Sequence, residues 1–401
     1  MTTLCVDETR TEGWAAAVTM AVTVFTVVTA EMLPVGLLTP IGASLGVSEG
    51  TAGLTLTVTG LVAAASSPVL PLLLGKVDRR AVLVGLMLLL AGASLLAAWS
   101  PTYGVLIAAR ILTGVSMGGV WLLTVGLASR LVPPQSVGPA TSLIFSGIGI
   151  ASVLGIPAAA YVGELVGWRW AFASIGILSL VLAAAIAALL PPLPAAAAVR
   201  LADVSAALRI KQVRVGLVLV ALLVTAHFSA YTYIRPMLDG LGPSLVGTLL
   251  LAYGVAGVTG NFVAGSAKSY RVMLGVIAAL IALPVLAMPL LGTTVPGALV
   301  LLAIWGFGYG GTTVTTQAWN HAAAPTAPEA SSALLVGVFN GAIALGAFSG
   351  GRVVDHLGTT AVTWLTGLLA LTALAVVVRH RTAASAAESS APKSSSSFSG
   401  E

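Results

Sequence analysis

Charge is scarce in this sequence: Asp, Glu, Lys and Arg together make up 8% of 401 residues, against about a quarter in an ordinary soluble domain. A water-soluble globule is excluded, because so few charged groups cannot cover its surface. The 18 basic and 13 acidic residues leave a net charge of +5, too thinly spread for the dense basic face that grips a phosphate backbone. Nucleic acid is excluded as a partner. Cysteine occurs once, as Cys5, so no intramolecular disulfide and no thiol metal site can form, and no cofactor is expected. The basic n-region of a cleaved signal is missing too: Asp7, Glu8 and Glu12 outnumber the single Arg10 before the first apolar run. That run is expected to be retained, although Val28-Thr29-Ala30 has the small residues of a cleavage site.

What fills the chain is apolar sequence, 58% of it. A bilayer core about 30 Å thick needs about 20 such residues per helix, and apolar runs between polar or Gly/Pro punctuation predict twelve spans. The first six lie near Trp14–Leu38, Ala52–Leu74, Ala81–Trp99, Tyr103–Leu127, Gly138–Val162 and Trp168–Leu190. The second six lie near Val215–Met237, Val246–Gly265, Val272–Leu291, Pro296–Gln317, Ala333–Val354 and Thr360–Val378. The expected organisation is a tail over 1–13, a six-helix bundle over 14–190, a central loop over 191–214, a second bundle over 215–380 and a disordered tail over 381–401. The fold class is an all-α polytopic membrane protein.

Basic residues divide unequally between alternate loops. Lys76, Arg79, Arg80, Arg130, Arg209, Lys211, Arg214, Lys268 and Arg271 share the side of the termini, while Arg169, Arg235 and Arg352 occupy the other. The positive-inside rule then places both termini and the central loop in the cytoplasm. A weak internal repeat supports two equivalent halves: Thr29-Ala30-Glu31 precedes Pro40 as Thr225-Ala226-His227 precedes Pro236, and Gly155, Glu164 and Gly167 match Gly346, Asp355 and Gly358.

Few residues in these spans can carry chemistry. Glu31 lies about 26 Å along the first helix from Trp14, past the midplane. An ionised carboxylate there is costly unless it meets water or a partner, which points to a protonation site; hydration near a helix end unwound by Pro34 and Gly36 is the plainer reading. Arg110 in the fourth span needs an acceptor, either a backbone carbonyl or Glu31, and Gly114 and Gly118 open a groove on its face. His227, Tyr231 and Arg235 recur at four-residue spacing on helix seven, a face able to bind planar polar ligands or to hold a satisfied histidine between helices. Trp305, Gln317, Trp319 and Asn320 add polar and aromatic groups on helix ten. Gly75-Lys76-Val77-Asp78-Arg79-Arg80 places an acid among cations in a tight loop, where Asp78 can latch a neighbouring helix end in one conformation. Helix eleven carries Gly337, Gly341, Gly346 and Gly350 for close packing.

Several of these stretches resemble the major facilitator superfamily, in particular its twelve-span drug:proton antiporter family. Gly75 to Arg80 is similar to the loop motif between spans two and three, and Leu106-Ile107-Ala108-Ala109-Arg110 with Gly114 is similar to the fourth-span motif. Glu31 to Leu38, Val224 to His227 and Gly167-Trp168-Arg169 resemble bacterial sugar efflux transporters and purine ribonucleoside efflux pumps. The resemblance implies two pseudosymmetric six-helix bundles that export a sugar, nucleoside or drug against protons across a bacterial cytoplasmic membrane. Glu31 carries the proton, Arg110 tunes it, His227, Tyr231, Gln317 and Asn320 line the substrate cavity, and Gly75, Asp78, Arg79 and Arg80 gate it. The expected partners are a small molecule, protons and the lipid bilayer, with the chain acting as a monomer. Two departures stand out: Ile156 separates Gly155 from Pro157 where the antiporter motif joins Gly and Pro, and the loop from Gly265 to Arg271 has no acid. Uptake is the same-class alternative. An integral-membrane enzyme is not expected, since Glu31, His227 and His321 are scattered and supply no ligand or nucleophile set.

Overall fold

The computed structural model describes residues 2–75, 77–124, 127–194, 201–325 and 328–390. Among the described residues twelve long helical segments succeed one another: α1 Thr2–Leu45, α2 Glu49–Leu74, α3 Arg79–Ala98, α4 Tyr103–Thr124, α5 over 137–165, α6 Trp168–Leu189, α7 Lys211–Tyr231, α8 Pro243–Gly265, α9 Tyr270–Leu291, α10 over 295–323, α11 Pro328–Leu357 and α12 Thr359–Ser390. Eleven stretches among the described residues are long and apolar enough to cross a membrane; α2, at 26 residues, is the twelfth segment.

The helix ends depart from the sequence expectation in both directions. α1 begins at Thr2 and passes Leu38 to reach Leu45, and α12 continues to Ser390 through the first half of the tail expected to be disordered. The central loop contains the helical turns Leu201–Arg209. Residues 195–200 and 391–401, and Lys76, lie outside the described residues. α5 is not uniform: Ala151–Gly155 forms a π-helical turn ahead of Ile156–Leu165. Pro157 cannot donate to the carbonyl four residues back, so the backbone widens by one residue there. The turn brings Gly155 against α1, where a Cβ would stand 2.3 Å from Thr29 Oγ1. The separated Gly155 and Pro157 thus serve one local distortion.

The duplication is visible in the packing. In the first half α1 packs on α5, α2 on α4 and α3 on α6; in the second, α7 packs on α11, α8 on α10 and α9 on α12. Across the halves the two members of equivalent pairs are exchanged, α2 against α11 and α5 against α8. The paired helix ends at Gly167 and Gly358 both need glycine, with φ of +97° and +83°.

Candidate functional site

Two prolines in α1 shape the polar interior. Pro34 has no N–H, so the Ala30 carbonyl loses its intrahelical donor. Arg110, only 1% exposed, supplies one: Nη1 donates to Ala30 O at 2.7 Å, Nη2 to Glu31 O at 2.8 Å and Nε to Thr55 O at 3.1 Å. Its guanidinium is thereby satisfied on backbone and ties α4 to α1 and α2. Gly114 and Gly118 let α4 lie against α2, where a Cβ would fall 2.6 Å from Thr59 O and 2.7 Å from Ala63 O. The Glu31 side chain, 5% exposed, is left with Oε1 unbonded. A buried carboxyl oxygen with no donor is a poor structural element, because an unpartnered buried polar atom costs free energy.

At similar depth in the second half, aromatic rings gather on His227. The Tyr309 ring stacks on the imidazole with centroids 3.4 Å apart and planes inclined by 8°, Tyr231 stacks at 4.7 Å, and Trp305 meets it edge-on at 5.5 Å. Tyr253 stacks on the Tyr231 side, 4.8 Å from that ring. The spacing of four residues sets His227 with Tyr231 on α7, and Trp305 with Tyr309 on α10. Tyr253 arrives because α8 and α10 meet backbone to backbone: a Cβ on Gly310 would stand 1.9 Å from Gly257 O, and one on Gly260 1.9 Å from Phe307 O. His227 Nδ1, Tyr253 Oη and Trp305 Nε1 are buried without a hydrogen-bond partner. Rings with unpaired polar atoms at their edges form a cluster whose chemistry matches a flat molecule with its own polar edge. Nothing in the sequence singles out Tyr253, and the four-residue spacing from Trp305 is the one signal for Tyr309.

Gln317 and Asn320 do not join these rings. They lie eight and eleven residues beyond Tyr309, roughly 12 and 16 Å along the axis, past the helix break at Gly311; Gln317 is exposed, while Asn320 is buried with Nδ2 unpaired. Arg235 also leaves the face expected for it. α7 ends at Tyr231, the chain turns through Thr232 and Tyr233, and Arg235 stands on the next short helix, Ile234–Leu238.

There Arg235 bridges the halves. Pro40 strips the Gly36 carbonyl of its donor as Pro34 does for Ala30, and Arg235 Nη1 donates to Gly36 O at 2.8 Å while Nη2 pairs with Glu164 at 3.2 Å. Asp355 accepts from Gly50 N at 2.9 Å and from Ser48 Oγ at 2.8 Å, capping α2 from across the interface. Thr39 Oγ1 lies 3.2 Å from Glu49 Oε1 in its own half and 3.0 Å from Asp239 Oδ2 in the other. Burial beside Asp239 and Asp355 raises the Glu49 carboxyl above its ordinary value, with desolvation the larger cause and the Thr39 hydroxyl opposing it. These contacts close the end of the molecule that bears the Gly46 turn.

The loop expected to act as a latch sits at the opposite end, and among the described residues its bonds run to the first half and to the start of the central loop. Asp78 caps α3 through Arg80 N at 2.8 Å and accepts from Leu193 N at 2.9 Å; Arg79 Nη2 donates to Gly75 O, and Arg80 Nη2 to Ala187 O. Gly75 ends α2 with φ +49°. Glycines on α11 divide the same way: a Cβ on Gly346 or Gly350 would strike α7 backbone at 2.7 or 2.1 Å, whereas Gly337 and Gly341 face open space. The glycine-mediated approach of α11 to the α7 backbone thus lies nearer the Gly46 end.

Two pseudosymmetric six-helix bundles joined at one end, with a buried acid and an aromatic pocket between the closed end and the other, define a membrane transporter. The sequence profile of the Major Facilitator Superfamily matches residues 20–343, and the chain belongs to that superfamily. The purine ribonucleoside efflux pump NepI of Escherichia coli (strain K12) is 31% identical over 379 residues, covering 93% of this chain and 96% of that protein. The pump of the same name from Shigella dysenteriae serotype 1 (strain Sd197) is equally similar, at 31% over 379 residues. Among solved structures, a bacterial homolog of the human lysosomal transporter Spinster, in an inward-facing and unoccupied conformation, aligns with a TM-score of 0.69 at 12% identity over 92% of this chain and 94% of that one. The human organic anion transporter MFSD10 (TETRAN) aligns with a TM-score of 0.67 at 16% identity over 91% and 99%. These two establish a shared fold.

Proposed function

We propose that the chain is a proton-driven exporter of purine ribonucleosides in the bacterial cytoplasmic membrane, with both termini in the cytoplasm. The observation that carries the reading is the buried Glu31 carboxyl, whose Oε1 has no hydrogen-bond partner, in the half opposite the His227 ring cluster. With the basic loops inside, the closed Gly46 end is the external one. A nucleoside from the cytoplasm stacks its base in the pocket and offers its ring nitrogens to His227, Tyr253 and Trp305. Glu31 gives up a proton to the cytoplasm and, after the halves rock open outward, takes one from outside as the substrate leaves. One proton then moves in for each substrate moved out, and the gradient acts through the group whose protonation differs between states. Arg110, held by three backbone carbonyls, keeps a fixed positive charge near that acid throughout the cycle.

Reconstituted vesicles with an imposed pH gradient test this. Wild-type protein is expected to move inosine against its gradient when protons run the other way. Glu31→Gln is expected to bind inosine yet exchange it only downhill. Gradient-driven transport by Glu31→Gln at the wild-type rate would make the carboxyl structural, and accumulation in the same direction as the proton flow would make the protein an uptake system.

A further inference from the structure

We propose that Tyr309 is an internal stand-in for substrate: in the empty transporter its ring fills, against His227, the place that the flat ring of the cargo takes over. The inference rests on a heteroaromatic cargo, as in the function proposed above, and on three observations of the pocket.

The first is thickness. Centroids 3.4 Å apart with planes inclined by 8° put the two rings at van der Waals contact, so no third ring fits between them. Tyr231 is also near-parallel to the imidazole, and among the described residues no ring contact joins Tyr231 to Tyr309; the two tyrosines therefore take opposite faces of His227. A planar ligand can reach the imidazole only by replacing one of them.

The second observation tells which one yields. Tyr231 is 4% exposed and braced by Phe228, Tyr253 and Trp305 as well as by His227. Tyr309 is only partly buried, its ring contacts among the described residues are with His227 and Phe228 alone, and among the described residues no hydrogen bond holds its hydroxyl. It stands two residues before the α10 break at Gly311. In this proposal, rotation about its side-chain bonds is the movement that uncovers His227.

The third observation is the unmet demand around the same ring. His227 Nδ1, Tyr253 Oη and Trp305 Nε1 belong to side chains 1%, 5% and 0% exposed and have no partner. A tyrosine ring in the slot supplies stacking but no polar edge to these atoms. A nucleobase supplies both, so exchange of Tyr309 for cargo is favoured by the bonds that only the cargo makes.

Inosine binding by full-length protein in lipid nanodiscs, followed by calorimetry, tests the assignment with four variants. Tyr309→Ala removes a competing ring and is expected to bind inosine about two- to tenfold more tightly, the worth of one aromatic stack. Tyr309→Leu, which fills space without a π face, is expected to follow it. Tyr309→Phe keeps the ring and is expected to match the wild type. His227→Ala is expected to lose binding. A second measurement needs no cargo: modification of His227 by diethyl pyrocarbonate, read on its own peptide, is expected to be several-fold faster in Tyr309→Ala than in the wild type or Tyr309→Phe. Wild-type binding with a weaker Tyr309→Ala, or equal modification rates in all three proteins, would overturn the stand-in role alone. No inosine binding by the wild type would overturn the nucleoside reading and the stand-in role with it.

Discussion

Arg235 offers the sharpest test of how the two halves are held. In the closed Gly46 end its guanidinium serves a carbonyl orphaned by Pro40 and pairs with Glu164, both in the other half. Replacement by methionine keeps the bulk and removes the charge. The hydrogen bond from a cation to a buried carbonyl contributes about 1.5–3 kcal/mol, and the pair with Glu164, whose side chain is 35% exposed, adds no more than about 1 kcal/mol after solvent screening. Losing about 1.5–4 kcal/mol shifts the balance from closed to open by roughly tenfold to nearly a thousandfold. Spin labels at Ala43→Cys and Gly240→Cys, exposed positions on opposite halves of that end, in a Cys5→Ser background, report the change as a longer distance population. Pro40→Ala supplies the reference: it returns an N–H to Gly36, so the double variant Arg235→Met with Pro40→Ala is expected to regain part of the closed state that Arg235→Met loses. An unchanged distance distribution in Arg235→Met would refute the bridge. No recovery in the double variant would refute the account of why Gly36 needs an arginine.

Three further outcomes follow from the same interface and its counterpart. Asp355→Ala loses two charge-assisted bonds to Ser48 and Gly50 and is expected to open the same end by roughly 10- to 100-fold, read with the same label pair. The raised Glu49 carboxyl binds its proton more tightly when the end is closed, among Thr39, Asp239 and Asp355, than when it is open to water. Lower pH on that side therefore favours closure, and the advantage fades as pH rises from the ordinary carboxylate value through the raised one; Glu49→Gln is expected to flatten this part of the distance–pH profile. Asp78→Asn leaves the closed end untouched but loosens the α3 cap and the tie to Leu193, and is expected to change the rate of the return step while leaving inosine affinity within about twofold. A change in affinity with an unchanged rate would remove that loop from the gate.

Much of this was legible in one dimension. Twelve spans follow from apolar run length, because a bilayer forces each crossing to be a helix of fixed minimum length. Glu31 and Arg110 stand out as charges in apolar sequence, and the match of Glu164 and Asp355 at equivalent helix ends marks two acids that both turn out to cross between halves. Four-residue spacing places His227 with Tyr231.

What only the tertiary structure decided concerns partners on different helices. The sequence shows that Pro34 and Pro40 each orphan a carbonyl, but that Arg110 reaches one and Arg235 the other depends on how α4 and the segment after α7 meet α1. Helical spacing put Arg235 with His227, yet the turn at Thr232–Tyr233 carried it out to the interface. Helix ten likewise offered Gln317 and Asn320, and packing chose Trp305 and Tyr309, because the glycines that bring α8 and α10 into backbone contact set which turn of the helix meets His227. Periodicity fixes which residues share a face of one helix. Which faces meet, and at what height, is set by close packing of small residues contributed by another helix far away in the chain.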